Sequence, residues 1–233
     1  DLTTLQRECN RIYGYTAQQT LDYVQSLYEK KLATYPRTDS QYLTEDMQAT
    51  AASLVLWLRE HMPFGKGCTG EPDIDRVMDG SKVTDHHAII PTVEIARTDL
   101  SELPSGERDV LTLIAARLLS ATVQAHRFEA VTAVLDCQGN SFTAKGKTVL
   151  QAGWKEVERL YRMGLKESKP EDDENMDASL PVLQEGQIFE TVSASVREGK
   201  TSPPKHYTED SLLAAMETAG AGDMPEDAER KGL

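Results

Sequence analysis

Thr16-Ala-Gln-Gln-Thr-Leu-Asp-Tyr-Val-Gln-Ser-Leu-Tyr-Glu-Lys-Lys-Leu-Ala-Thr-Tyr-Pro-Arg-Thr-Asp-Ser40 carries a helix signal and then a polar loop, with nothing between them. Thr16 and Gln19 match a capping box. Ala17, Leu21, Val24, Leu27, Tyr28 and Leu32 recur mostly at steps of three or four, so the spacing predicts a helix over 17–31 with these residues on its apolar face. Gly14 ends whatever precedes it. Pro36 holds its own φ at about −65° and pushes Tyr35 out of the helical region, so the loop begins extended and stiff. In such a segment Tyr35 and Arg37, two residues apart, project to the same side.

Outward from this stretch the chain reads as a helical half followed by a β-rich half, with the change near residue 126. A helix is expected over 44–61, with Met47, Ala51, Leu54, Val55 and Leu58 on one face. Another is expected over 105–125 through Val110, Leu111, Ile114, Leu118 and Ala121. Helices joined by a turn in this way can form a helix-turn-helix unit. Phe128 to Leu135 alternates and is rich in β-formers, Gln138-Gly-Asn140 is a turn signal, and Ser141 to Ala144 returns as a partner strand. Residues 164–179 are polar and acidic and predict a loop. Gln187 to Arg197 alternates as a strand, Ser202-Pro-Pro204 stops it, and Thr208 opens a short helix through Leu212, Leu213 and Met216. The fold class is therefore α+β.

The 233 residues are 39% hydrophobic and 27% charged, enough apolar content to bury a core. Cys9, Cys68 and Cys137 are odd in number, far apart and without a C-x-x-C pair, which excludes a disulfide framework and a cysteine zinc site and fits a reducing cytoplasm. No apolar run reaches the roughly 18 to 20 residues of a membrane span, and Asp1-Leu-Thr-Thr4 is no signal peptide. The missing initiator methionine and the ending Lys-Gly-Leu233 read as a piece cut from something longer. A net charge of −13 excludes a domain that coats duplex DNA by phosphate neutralisation. The acidic residues cluster, as in Glu171-Asp-Asp-Glu174 and Glu226-Asp227, while Lys30, Lys31 and Arg37 bracket Tyr35 and leave room for a local cationic site.

A phenol has a pKa near 10, so roughly one part in a thousand is ionised at neutral pH, and a tyrosine nucleophile needs help beside its target. Arg37 supplies the right help for a phosphate, because a guanidinium grips two oxygens at once. Thr38, Asp39 and Ser40 can cap a helix or bond a sugar-phosphate backbone. By itself this loop is also ordinary surface chemistry. In Thr84-Asp-His-His-Ala-Ile-Ile-Pro-Thr92, His86 and His87 border an apolar run, where a single histidine is usually a hydrogen-bonded structural residue. The pair makes no metal site, since adjacent side chains diverge and no third ligand sits at useful spacing. Gly139 and Gly146-Lys-Thr148 miss the P-loop spacing, so no nucleotide is expected. Trp57 and Trp154 are expected in cores.

Leu27 to Ser40, with its Tyr-Pro-Arg-Thr-Asp-Ser ending, resembles the active-site segment of type IA DNA topoisomerases. Thr84 to Thr92 is similar to a motif of their topoisomerase III branch. Ser202-Pro-Pro-Lys-His-Tyr-Thr-Glu-Asp-Ser-Leu-Leu-Ala-Ala-Met-Glu217 resembles the family's re-entry into its base-side domain, and Gly14 with Ala17 to Leu21 also agrees. The resemblance implies that Tyr35 is the nucleophile, that Arg37 contacts the scissile phosphate, and that His86 lies near it while His87 is structural. Thr38, Ser40 and Lys205 become candidate DNA contacts. It further implies a helix-turn-helix-like (CAP-like) tyrosine domain over 1–125, part of a β-rich arch over 126–200 and the start of a base-side helical domain over 201–233.

Family members cut one DNA strand to a 5'-phosphotyrosine, pass another strand and reseal without ATP. Their Mg2+ ligands lie in a toprim domain that is not seen in this sequence, so the piece alone is expected to be inactive, with single-stranded DNA as the intact enzyme's partner, no membrane and a cytoplasmic location. Two alternatives stay open at this point: a noncatalytic helix-turn-helix DNA-binding module, and a tyrosine nickase of the relaxase type, whose histidine cluster the five histidines do not supply.

Overall fold

A computed structural model describes residues 1–165, 180–190, 193, 195, 196 and 198–219. The first helix, α1 (Leu2–Tyr13), ends on Gly14 in a left-handed backbone with φ 72°. The second, α2 (Ala17–Glu29), starts at the expected capping box, in which the Thr16 and Gln19 side chains each bond the other's main chain. A single turn over Glu45–Met47 leads into α3 (Gln48–His61), whose buried residues are Ala51, Leu54, Val55 and Leu58. Short 3-10 turns and extended chain then lead to α4 (Ser105–Thr122). Most of α4 is buried, from Val110 through Leu119, as expected of a helix with neighbours on several sides. It packs against α2, α3 and a later helix, α5 (Trp154–Gly164).

The chain divides into two units. One comprises Asp1–Gln124 with the described parts of Gly153–Ser168 and Tyr207–Leu233, and so contains α5 and the last helix, α6 (Glu209–Glu217). Four polar contacts show why these helices return to it. Arg117 of α4 bonds Glu8 of α1 at 2.6 Å and Glu158 of α5 at 3.4 Å, tying three helices through one guanidinium. On α6, Asp210 pairs with Arg7 at 3.0 Å and Glu209 accepts the Ala17 N–H, placing a carboxylate at the positive end of α2. The sequence reading assigned no helix to 2–13 or 154–164, and residues of the expected second and third segments thus pack in this first unit.

The other unit holds a two-stranded antiparallel hairpin, β1 (Arg127–Cys137) and β2 (Asn140–Gln151), with Ala133 opposite Ala144 and Gly146 opposite Val131. Gln138 and Gly139 both have positive φ, 52° and 79°, which is the two-residue turn whose twist suits a hairpin. The return strand runs to Gln151, well past the expected Ala144. Mixed helices and a small antiparallel sheet make the α+β class.

Three expectations are corrected. Among the described residues of 187–197 no strand forms; Ile188 and Val196 are exposed, and alternation alone makes no strand where no neighbouring strand among the described residues bonds it. Tyr28, placed on the buried face of α2, is 41% exposed, and Ala121 at the end of α4 is exposed, while their neighbours Leu27 and Leu32, and Thr122 and Val123, take the buried positions at those helix ends. Of the loop read over 164–179, residues 166 onward lie outside the described residues. Trp57 and Trp154 are partly buried against the core.

Candidate active site

The loop after α2 and the segment 84–92, about fifty residues apart, are laced together. Ala33 and Pro91 form an antiparallel bridge, and the Thr92 N–H donates to the Leu32 carbonyl at 3.0 Å. Thr34 supplies three bonds: its N–H donates to Ile90 at 3.0 Å, its hydroxyl donates to the Ala88 carbonyl at 3.2 Å, and it accepts the Ile90 N–H at 2.9 Å. Further along, the Thr38 hydroxyl donates to the His86 carbonyl at 2.7 Å and the Ser40 hydroxyl to the Lys82 carbonyl at 3.0 Å. The Ala88 N–H donates to Tyr42 at 2.8 Å, and the Thr84 hydroxyl to the Asp39 carboxylate at 3.2 Å. With Pro36 buried in the middle, the loop has few free torsions.

This lacing sets two rings against each other. The Tyr35 ring lies 4.3 Å from that of His86, centroid to centroid, tilted at 44°. On its other flank Tyr28 meets it edge-to-face at 5.5 Å. Tyr35 is partly buried, and His86 is exposed. His87 turns to its own chain, with Nδ1 donating to the Ala88 carbonyl at 2.8 Å. Arg37 is exposed and makes no ion pair among the described residues, which leaves its guanidinium for an anion from outside.

The structure thus brings Tyr35 and His86 together and places Arg37 two residues beyond. Thr38 and Ser40 lie buried: the two residues are 8% and 4% exposed and their hydroxyls bond the His86 and Lys82 carbonyls. Lys205 is exposed and belongs to the unit that does not contain Tyr35. Lys30 is neutralised by Glu107, itself only 7% exposed and also bonded by Ser26 at 2.9 Å. Sequence reasoning missed Tyr28 and Thr34. The only signal for either was proximity to Tyr35, since a helix-face tyrosine and a loop threonine are common. Among the described residues there is no group of three or more His, Cys, Asp or Glu side chains that could hold a metal ion. No helix among them is long and apolar enough to cross a membrane.

A family model described as DNA topoisomerase matches residues 1–224. The chain belongs to the DNA topoisomerase family. It is 38% identical to a DNA topoisomerase 3 of Bacillus subtilis (strain 168) over its whole length. It is 36% identical to proteins of the same name from Bacillus licheniformis and Bacillus cereus, over 95% and 93% of the chain. Within the family the chain is therefore a type IA, topoisomerase III-like member. It spans about a third of these relatives, 31% of the first and 30% of the other two.

Proposed function

We propose that this chain is the nucleophile-bearing part of a type IA topoisomerase that breaks and rejoins a single DNA strand. Tyr35 Oη attacks the scissile phosphorus, a P–O bond to Tyr35 forms as the P–O3' bond breaks, and the tyrosine carries a 5'-phosphate while the other end leaves as a 3'-hydroxyl. The phenol proton passes to water as the bond forms, and the leaving 3'-oxygen takes a proton from an acid outside this chain. Resealing runs the same exchange backwards, so the phosphodiester energy is kept and no nucleotide is consumed.

Arg37 holds two phosphate oxygens and stabilises the charge that grows on them. His86 donates to a phosphate oxygen beside Tyr35. Thr34, Thr38 and Ser40 fix the loop and touch no DNA. Mg2+ is held by residues elsewhere in the intact protein, and no step here passes through it. Residues 1–125 serve as a helix-turn-helix-like tyrosine domain, 126–200 as part of the arch, and 201–233 as the start of the base-side domain.

The observation that carries this reading is the contact of Tyr35 with His86, which joins two motifs distant in sequence at one tyrosine. The experiment mixes the intact protein with 3'-end-labelled single-stranded DNA and magnesium and denatures it quickly. Label is expected to travel with wild type and not with Tyr35→Phe. An adduct retained in Tyr35→Phe ends the assignment, and none from wild type under any metal condition leaves a DNA-binding module.

A further inference from the structure

The turn that ends α2 carries a residue it does not need. The Leu32 N–H donates to the Leu27 carbonyl at 2.8 Å and the Lys31 N–H to the Tyr28 carbonyl at 2.9 Å, the two bonds of a Schellman turn, and Leu27 and Leu32 are both buried beside it. In that turn the residue after the cap has a left-handed backbone, and here it is Lys31 with φ 61°. Glycine takes this conformation without a Cβ penalty, and the chain uses it for the same task at Gly14. At Lys31 the surrounding bonds impose the conformation instead. Besides the two above, the Lys31 carbonyl accepts the Thr92 hydroxyl, which pins the turn to the segment that carries His86. A non-glycine residue held there by its neighbours directs attention to what its side chain does.

That side chain is exposed and has no carboxylate partner among the described residues, while the adjacent Lys30 is tied to Glu107. Lys31 is also joined to the site, because Tyr28, whose carbonyl receives its N–H, packs its ring against Tyr35. In a chain of net charge −13, Lys31 and Arg37 are thus unneutralised cations on either side of Tyr35 in sequence. What lysine adds over glycine at this turn is an ammonium on a long stem, suited to a phosphate as a point charge. We propose that Lys31 binds a backbone phosphate of the single strand next to the scissile one. This rests on the reading of Tyr35 as nucleophile and extends it by one contact.

The test measures binding of a fluorescent oligothymidylate to the intact protein, without metal, from about 0.05 to about 1 M salt. Losing one phosphate contact lowers the slope of log K against log salt by about 0.7, which is about five-fold in affinity at 0.1 M relative to 1 M. Lys31→Gly is expected to show that loss while its thermal midpoint stays level or rises, since glycine suits the turn. Lys31→Arg is expected to keep the wild-type slope. A wild-type slope in Lys31→Gly overturns the proposal. Weaker binding with an unchanged slope, or with a lowered midpoint, marks a structural role and overturns it too. Loss of the Tyr35-dependent adduct in wild type is a separate failure, belonging to the underlying reading.

Discussion

Thr34 shows how much of the site rests on residues that do no chemistry. Its hydroxyl and N–H make three bonds to the segment behind His86, all next to Tyr35. Thr34→Val keeps the shape and removes two of them, leaving the Ile90 N–H short of a partner while the Ala88 carbonyl keeps the bond from His87. A loss of about 1–3 kcal/mol in unfolding free energy is expected by denaturant titration, with a slower rate of adduct formation because Tyr35 is less well placed. Tyr35→Phe, by contrast, is expected to leave stability within about 0.5 kcal/mol. Cysteine reactivity gives a second check at this scale. Burial, with the Thr20 hydroxyl opposing it, pushes the Cys9 thiol up to about 12. At pH 8 roughly one part in ten thousand is then thiolate. Burial also raises Cys68, whereas Cys137 is exposed on the hairpin. Iodoacetamide is expected to label Cys137 first and Cys9 only after unfolding, as peptide mapping against time will show.

Among the elements, α5 is held by a close approach that the sequence did not announce. A Cβ on Gly67 would lie 2.7 Å from the Val157 nitrogen and 2.8 Å from the Glu156 carbonyl carbon, both main chain and unable to step aside. Gly67→Ala is therefore expected to push α5 away and cost about 1–3 kcal/mol, measured by thermal or denaturant unfolding. The periodic helices α2, α3 and α4 were legible because one apolar face repeats along each, and α6 because Thr208 announces it. Helices α1 and α5 also repeat an apolar face, with Leu5 and Cys9 buried in one and Val157 and Tyr161 in the other, but what holds them in place, Arg7, Glu8 and Glu158 finding partners far along the chain, is not written in the local sequence. The hairpin turn at Gln138-Gly139 was legible from its residue types. Among the candidate site residues, Tyr35, Arg37 and His86 were singled out by their motifs, and the structure brings Tyr35 and His86 into ring contact. Thr38 and Ser40 read as ligand contacts because a polar side chain in sequence does not reveal whether its bond is to a ligand or to the chain itself.

For the molecule as a whole, the ion pairs around Arg117 link stability to pH. Burial alone would raise the Glu158 carboxyl, but the charges of Arg117 and Arg162 outweigh it and hold it below its usual 4.5. A carboxyl lowered in the folded state contributes stability that is complete above its unfolded value and lost as pH falls through the folded one. Unfolding free energy is thus expected to decline below about pH 4.5, and Glu158→Gln is expected to remove about 1–2 kcal/mol at pH 7 and flatten that decline. The net charge of −13 leaves little general attraction for DNA, so under the proposed function the unpaired cations Lys31 and Arg37 near Tyr35 are expected to carry the recognition. The central claim is that one tyrosine of this chain becomes joined to DNA. Its most direct test traps the intact protein on single-stranded DNA labelled at either end, digests the adduct with protease and nuclease, and locates the phosphate by mass spectrometry. The account predicts that 3'-end label stays with the protein, 5'-end label is released, and the modified residue is Tyr35; a phosphate on any other residue, or the opposite end retained, would contradict it.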